Sequence, residues 1–240
     1  MPGKHFNTIL YDDGAGAKTG VGFQPDLVWL KARSVGGVGD RYKMTDNVRG
    51  VTKGISSNSV SSGPWATVAE STDSTGLTAF GADGFTVGAD AYYSSTTGTG
   101  MVAWNWLGAN TTVTNEDGGI DSTVSANTTA GFSICGYEGT GSSTTFGHGL
   151  GVTPEFIMVK NRDTTDSWAA YAIGMTSASY TLILNDEVAE ASDSTVWGSA
   201  PTSSLVNIGT NAKTNTSGED YIAYCFHSVE GYSKVANYTG

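Results

Sequence analysis

Apolar positions in this chain come in short runs and alternations, seldom at helical spacing. Gly, Asn, Asp and Ser bound the runs, which is the pattern of strands separated by turns. The pattern predicts strands over 7–11, 27–31, 84–87 and 101–107, and again over 132–137, 156–160, 204–208 and 221–228. Helical spacing is confined to 46–53 and 186–191, each about two turns long at most.

The pattern is written twice. Val21-Gly22-Phe23-Gln24-Pro25-Asp26-Leu27-Val28-Trp29-Leu30-Lys31-Ala32-Arg33 returns as Leu150-Gly151-Val152-Thr153-Pro154-Glu155-Phe156-Ile157-Met158-Val159-Lys160-Asn161-Arg162, at a constant offset of 129. Met101-Val102-Ala103-Trp104-Asn105-Trp106 returns as Tyr221-Ile222-Ala223-Tyr224-Cys225-Phe226. Gly131-Phe132-Ser133 begins again as Gly231-Tyr232-Ser233. A repeated unit marks an array of structural modules. Pro25 and Pro154 lack a donor and belong just before a strand. Leu27-Val28-Trp29-Leu30 reads as a strand covered on both faces. Lys31, Arg33, Lys160 and Arg162 read as charges alternating outward past a strand end, facing solvent or a carboxylate.

Two modules of roughly 110–120 residues each have the size of a β-sandwich. The expected fold is all-β, two tandem antiparallel sandwiches of jelly-roll or lectin-like character. The first spans 1–115, a polar linker follows over 116–130, and the second spans 131–240. The opening strand of a third repeat falls within 231–240. A strand near 234–238 would then add to a sheet edge of the second copy or of a neighbouring subunit. Arg33 to Ala103 is 70 residues and Arg162 to Ala223 is 61, so the first copy carries 9 extra, assigned to 56–67. Insertions of this kind map to surface loops, where specificity tends to reside.

Charge narrows the partners. The formal net charge is −11, which disfavours nucleic acid and anionic membrane surfaces, since both require a basic face. No run reaches the roughly 18 apolar residues of a membrane span, and the first residues form no signal core, so synthesis in a cytoplasm is expected. Cys135 and Cys225 form no CxxC and read as buried free thiols, with a single disulfide between them as the alternative.

The runs GVGFQPDLVWLKAR and GHGLGVTPEFIMVKNRD, the stretch 197–212 and the run YIAYCFHSVEGYSKVANYTG resemble a repeat domain of tailed bacteriophages. That domain is widespread in marine and cyanobacterial phages, in large virion structural proteins described as tail-fibre-like. The resemblance covers 6–240. It implies a β-sandwich module on the virion surface, reached after synthesis in the host cytoplasm, and no catalytic residues to carry over. The expected role is a non-enzymatic virion structural protein, either a fibre or appendage module or a capsid-decoration protein. Its expected partners are other virion proteins, further copies of itself (a trimer favoured) and host-surface glycan. A glycan-binding lectin is the alternative role, and a polysaccharide depolymerase a more distant one.

Candidate chemistry is sparse. Trp29, Trp104, Trp106 and Phe226 occupy strand positions and read as core. Trp65, Tyr92 and Tyr93 occupy loop-like sequence with no counterpart in the second copy, and rings of this kind stack on sugars or anchor partners. Asn115, Asp117 and Asp121 surround a Gly-Gly turn with oxygen ligands suited to calcium, without the EF-hand spacing. His148 reads as a turn residue, since no GxSxG accompanies it. The stretch 14–20 lacks the phosphate-loop spacing. Asp12, Asp13, Glu116, Asp117, Glu187 and Glu190 read as solvated turn acids rather than a glycosidase pair.

Overall fold

A computed structural model of the protein describes residues 2–12, 14–33, 42–58, 69–94 and 100–237. The chain forms two compact units, Met1–Thr111 and Thr112–Gly240. Strands of the first are β1 (Phe6–Tyr11), β2 (Gly16–Thr19), β3 (Leu27–Ala32), β4 (Tyr42–Asp46), β5 (Lys53–Ser56), β6 (Ser71–Thr72), β7 (Leu77–Gly81), β8 (Gly84–Val87) and β9 (Met101–Trp106). Strands of the second are β10 (Val113–Asn115), β11 (Ser122–Asn127), β12 (Phe132–Glu138), β13 (Thr144–Gly147), β14 (Phe156–Asn161), β15 (Ala169–Ala172), β16 (Tyr180–Ile183), β17 (Ala191–Ser192), β18 (Leu205–Ile208) and β19 (Asp220–Phe226). All pairings between these strands are antiparallel.

Each unit is a sandwich of a large and a small sheet. In the first, β1-β9-β3-β4-β5-β6 faces β2-β8-β7. In the second, β10-β11-β12-β19-β14-β15-β16-β17 faces β13-β18. The first core joins Tyr11, Val28, Leu30, Met101 and Ala103 of the large sheet to Leu77, Phe85 and Val87 of the small one. The second joins Cys135, Tyr137, Ile157, Val159, Tyr221, Ala223 and Cys225 to Phe146, Val206 and Ile208. Alternate residues of one strand supply one face, which is why these positions are spaced by two.

The duplication in sequence is a duplication in register. Tyr11 lies opposite Met101 and Tyr137 opposite Tyr221. The Tyr11 hydroxyl donates to the carbonyl of Tyr93 at 2.6 Å, and Tyr137 donates to that of Thr214 at 2.8 Å. The repeated acid before the strand also has a repeated task. Asp26 accepts from the Gly108 amide at 2.6 Å, and Glu155 accepts from the Ser228 amide at 2.8 Å. Each thereby satisfies a backbone donor just beyond the end of β9 or β19.

Several expectations need correction. The stretch 116–130 is not a linker: it carries β11, which pairs with β12 over five residues from Thr123↔Gly136 to Asn127↔Phe132. Its Ser and Thr suit a strand because pairing uses the backbone, while Val124 supplies the well-buried apolar anchor of β11. The second unit therefore starts before 116. The stretch 46–53 is a turn, because the Asp46 carboxylate captures the amides of Val48 and Arg49 and Thr52 has φ of 66°. The stretch 186–191 buries no apolar face, with Val188 exposed, and it too is not helical. The short helices are instead α1 (Ser194–Trp197) and α2 (Ala212–Asn215), capped by Asp193 and Asn211.

The expected strand of a third repeat does not form over 234–237. The Val229 amide donates to the Ser233 carbonyl at 3.0 Å and closes a turn, and Val235 donates to the Ser228 hydroxyl at 2.8 Å. Residues 238–240 lie outside the described residues. Trp29, Trp104 and Trp106 are also not in the core just described. They are half-buried on the opposite face of the large sheet, where Trp29 lies 6.1 Å from Trp104 and Phe6 lies 4.8 Å from Trp106.

Candidate functional site

The first unit departs from the second where alanines give way to charged or polar side chains. Lys43 holds the register position of Ala169, Asp46 that of Ala172, and Ser71 that of Ala191. Ser71 directly follows the longer connection of the first copy, which runs over 57–70 between β5 and β6, and Lys43 lies opposite Ser56 at its start; the counterpart between β16 and β17 runs over 184–190.

The charges are buried and mutually satisfied. Lys43 Nζ donates to Asp73 Oδ2 and Ser71 Oγ, both at 2.9 Å. Tyr93, fully buried, donates its hydroxyl to the same Asp73 Oδ2 at 2.8 Å. Burial and the Asp73 carboxylate both push the Tyr93 phenol well above its usual range, so it remains a donor. Arg49 Nε meets Asp46 Oδ2 at 2.6 Å with both side chains out of water, and its Nη1 meets Glu70 at 3.2 Å. Gly54 keeps the cluster open: a Cβ there would lie 2.2 Å from the Tyr93 hydroxyl and 2.3 Å from Asp73 Oδ2. The cluster ties Glu70, Ser71 and Asp73, at the end of the copy-specific connection, to β4 and β5. The corresponding Asp193 of the second unit instead caps α1 through the Thr195 amide at 3.0 Å.

The sequence-predicted binding aromatics separate. Tyr93 is a core residue and presents no ring to a ligand. Tyr92 is half-buried, with Lys43 Nζ 5.9 Å from its ring centroid and its amide bound to Asp90. Trp65, and most of the insertion assigned to 56–67, lie outside the described residues.

The calcium candidates do not converge. Asn115 Oδ1 accepts from the Asp117 amide at 3.0 Å, and its amide packs where a Gly147 side chain would stand. Asp117 and Asp121 are exposed. Among the described residues, no three His, Cys, Asp or Glu side chains gather closely enough to hold a metal ion.

Other reactive groups are structural. His148 is buried; its Nδ1 accepts from the Leu150 amide at 3.2 Å, which leaves Nε2 to donate to Thr202 O at 3.2 Å. Burial holds this imidazole below its usual pKa. Lys160 does not face outward, as its sequence position suggests. It is fully buried, donates to the carbonyls of Asn161 and Thr164, and is brought down to about 8 by burial. Arg162 does meet a carboxylate, Asp220, at 3.3 Å. Cys135 and Cys225 are free and buried. Among the described residues, no helix is long and apolar enough to cross a membrane.

A family model described as a domain of unknown function, DUF7483, matches residues 1–240. The chain belongs to the DUF7483 family. The match spans both sandwiches, so the duplicated pair is what the DUF7483 model describes. No curated protein and no solved structure matches the chain.

Proposed function

We propose that this DUF7483 protein is a non-enzymatic structural component of a bacteriophage particle, a fibre or appendage module or a capsid-decoration protein, acting by assembly on the virion surface. The observation that carries the reading is the tandem sandwich built from two register-matched copies, together with the resemblance of its repeated runs to a virion repeat domain. Modules of this kind present surface, and copy-specific connections vary that surface without touching the core. The buried charges of the first unit fit this reading, because they anchor the 57–70 connection by its C-terminal end. The partners are other virion proteins and further copies of the chain, with a three-fold oligomer favoured. The role needs no cofactor, nucleic acid or membrane.

A second reading, glycan recognition, has one specific support: Tyr92 lies beside the Lys43 cluster that anchors the copy-specific connection, the same connection that carries Trp65. Tyr93 drops out of it because its ring is core.

The test is antibody labelling of intact particles of the phage that encodes the chain, viewed by electron microscopy. Label over the head supports decoration, and label on the fibres or tail tip supports an appendage role. Particles without label overturn the virion reading. A glycan array probed with the wild-type chain, Trp65→Ala and Tyr92→Ala decides the second reading. Binding lost in the variants supports it, and no binding by the wild type ends it.

A further inference from the structure

Strand β1 is an edge strand. It ends the six-stranded sheet, and among the described residues no strand pairs with its outer side. The second unit shows what belongs there. The equivalent strand β12 pairs with β19 on one side, as β1 does with β9, and with β11 on the other. Among the described residues, no strand takes the place of β11 beside β1.

The backbone of that edge is arranged to pair. The Leu107 amide donates to the His5 carbonyl at 2.8 Å, which fixes the alternation along the β1–β9 ladder. Asn7, Ile9 and Tyr11 turn their backbone groups toward β9, and Phe6, Thr8 and Leu10 turn theirs outward. The same set in β12, Phe132, Ile134 and Gly136, lies opposite Asn127, Ser125 and Thr123 of β11. Natural edge strands are guarded by Lys, Pro, a bulge or an inward charge. Phe-Asn-Thr-Ile-Leu-Tyr contains no charge and no proline, and its register with β9 is unbroken. Its guard is a side chain: the Thr8 amide donates to Asn7 Oδ1 at 2.9 Å, and Asn7 Nδ2 donates in turn to the Val21 carbonyl at 3.0 Å. Leu10 is 60% exposed on this strand.

We propose that β1 pairs with β1 of a second copy of this chain, antiparallel across a two-fold axis, so that the two large sheets join edge to edge. The sequence of the strand complements itself in one register. With Thr8 on the axis opposite Thr8 of the second copy, Phe6 faces Leu10 of that copy, and Leu10 faces its Phe6. All three side chains lie on one face of the sheet, because they are spaced by two. The register therefore stacks two Phe–Leu pairs around one Thr–Thr pair, combinations that stabilise antiparallel ladders, and covers the exposed Leu10. Phe6 is held on that face by its contact with Trp106 of β9. To pair, Thr8 exchanges its bond to Asn7 for one to the facing strand. The contact is isologous, so it closes as a dimer and is separable from any three-fold assembly. It does not depend on the virion reading.

The test is sedimentation velocity of the 240-residue chain over a concentration series. A monomer–dimer equilibrium is expected, weakened at least tenfold by Leu10→Lys and abolished by Thr8→Pro. The proline removes only an outward amide and leaves the β9 ladder intact. Circular dichroism checks that both variants fold. If either does not, a nitroxide on Thr8→Cys decides the matter, because the native thiols are buried. Spin–spin broadening in the dimer is expected from a residue on the axis. A chain that stays monomeric, an oligomer indifferent to Leu10→Lys and Thr8→Pro, or a dimer without broadening overturns the proposal.

Discussion

At the residue scale, the buried ionisable groups set how stability responds to change. His148 is neutral in the fold and its pKa is depressed by burial. Between that depressed value and about 6.5 the unfolded chain holds a proton that the native chain does not, so stability falls as pH drops through this window. His148→Asn keeps an acceptor for the Leu150 amide and should flatten this limb, measured as the melting temperature between pH 5 and 7.5. Lys160 has the same sign at higher pH. From about 8 to 10.5 the unfolded chain is protonated and the native chain is not, so stability rises with pH, and Lys160→Met should remove the rise. The Arg49–Asp46 pair is a different case, since removing one partner strands a buried charge. Arg49→Ala should cost about 3–5 kcal/mol in a denaturant titration. Replacing both partners together with apolar residues should cost less than the single change.

At the element scale, the two copies show how far one sandwich tolerates exchange. Lys18 in β2 and Phe146 in β13 hold the same register position against the small-sheet partner. One sets an ammonium 5.0 Å from the Tyr11 ring centroid, and the other sets a ring 4.4 Å from that of Tyr137. Both cover the face of the equivalent tyrosine, by cation–π attraction in one unit and stacking in the other. The β2–β8 pairing is less tolerant at Gly84. This residue has φ of 149°, and a Cβ there would stand 1.9 Å from the Lys18 carbonyl. Gly84→Ala should therefore cost at least the roughly 1–3 kcal/mol of a strained backbone and lose hydrogen-exchange protection in β2 before the large sheet. Equal protection in both sheets would show that the strand pair adjusts.

At the scale of the whole molecule, charge and edge pairing oppose each other. Two copies at −11 repel, while β1 itself carries no charge. Added salt screens the repulsion and leaves the proposed contact untouched. The dimer should tighten as ionic strength rises, read as a falling Kd in sedimentation. A contact made by opposite charges would weaken instead.

Strand placement, the duplication and the all-β class were legible in the chain because period-two burial and turn residues are local properties. The eight predicted strands reappear within about two residues at each end. The repeated Asp26 and Glu155 marked a shared structural need, although their targets, the amides of Gly108 and Ser228, lie far along the chain. What pairing alone decides was not legible. A Ser/Thr-rich stretch reads as linker or strand according to whether a neighbour such as β12 is present to bond it. Tyr92 and Tyr93 are adjacent and alike in sequence; only the position of Asp73 and Lys43 makes one a core donor and leaves the other half-buried. Local order follows from side chains near in sequence. Burial, the satisfaction of a charge and the openness of an edge follow from groups that only the fold brings together.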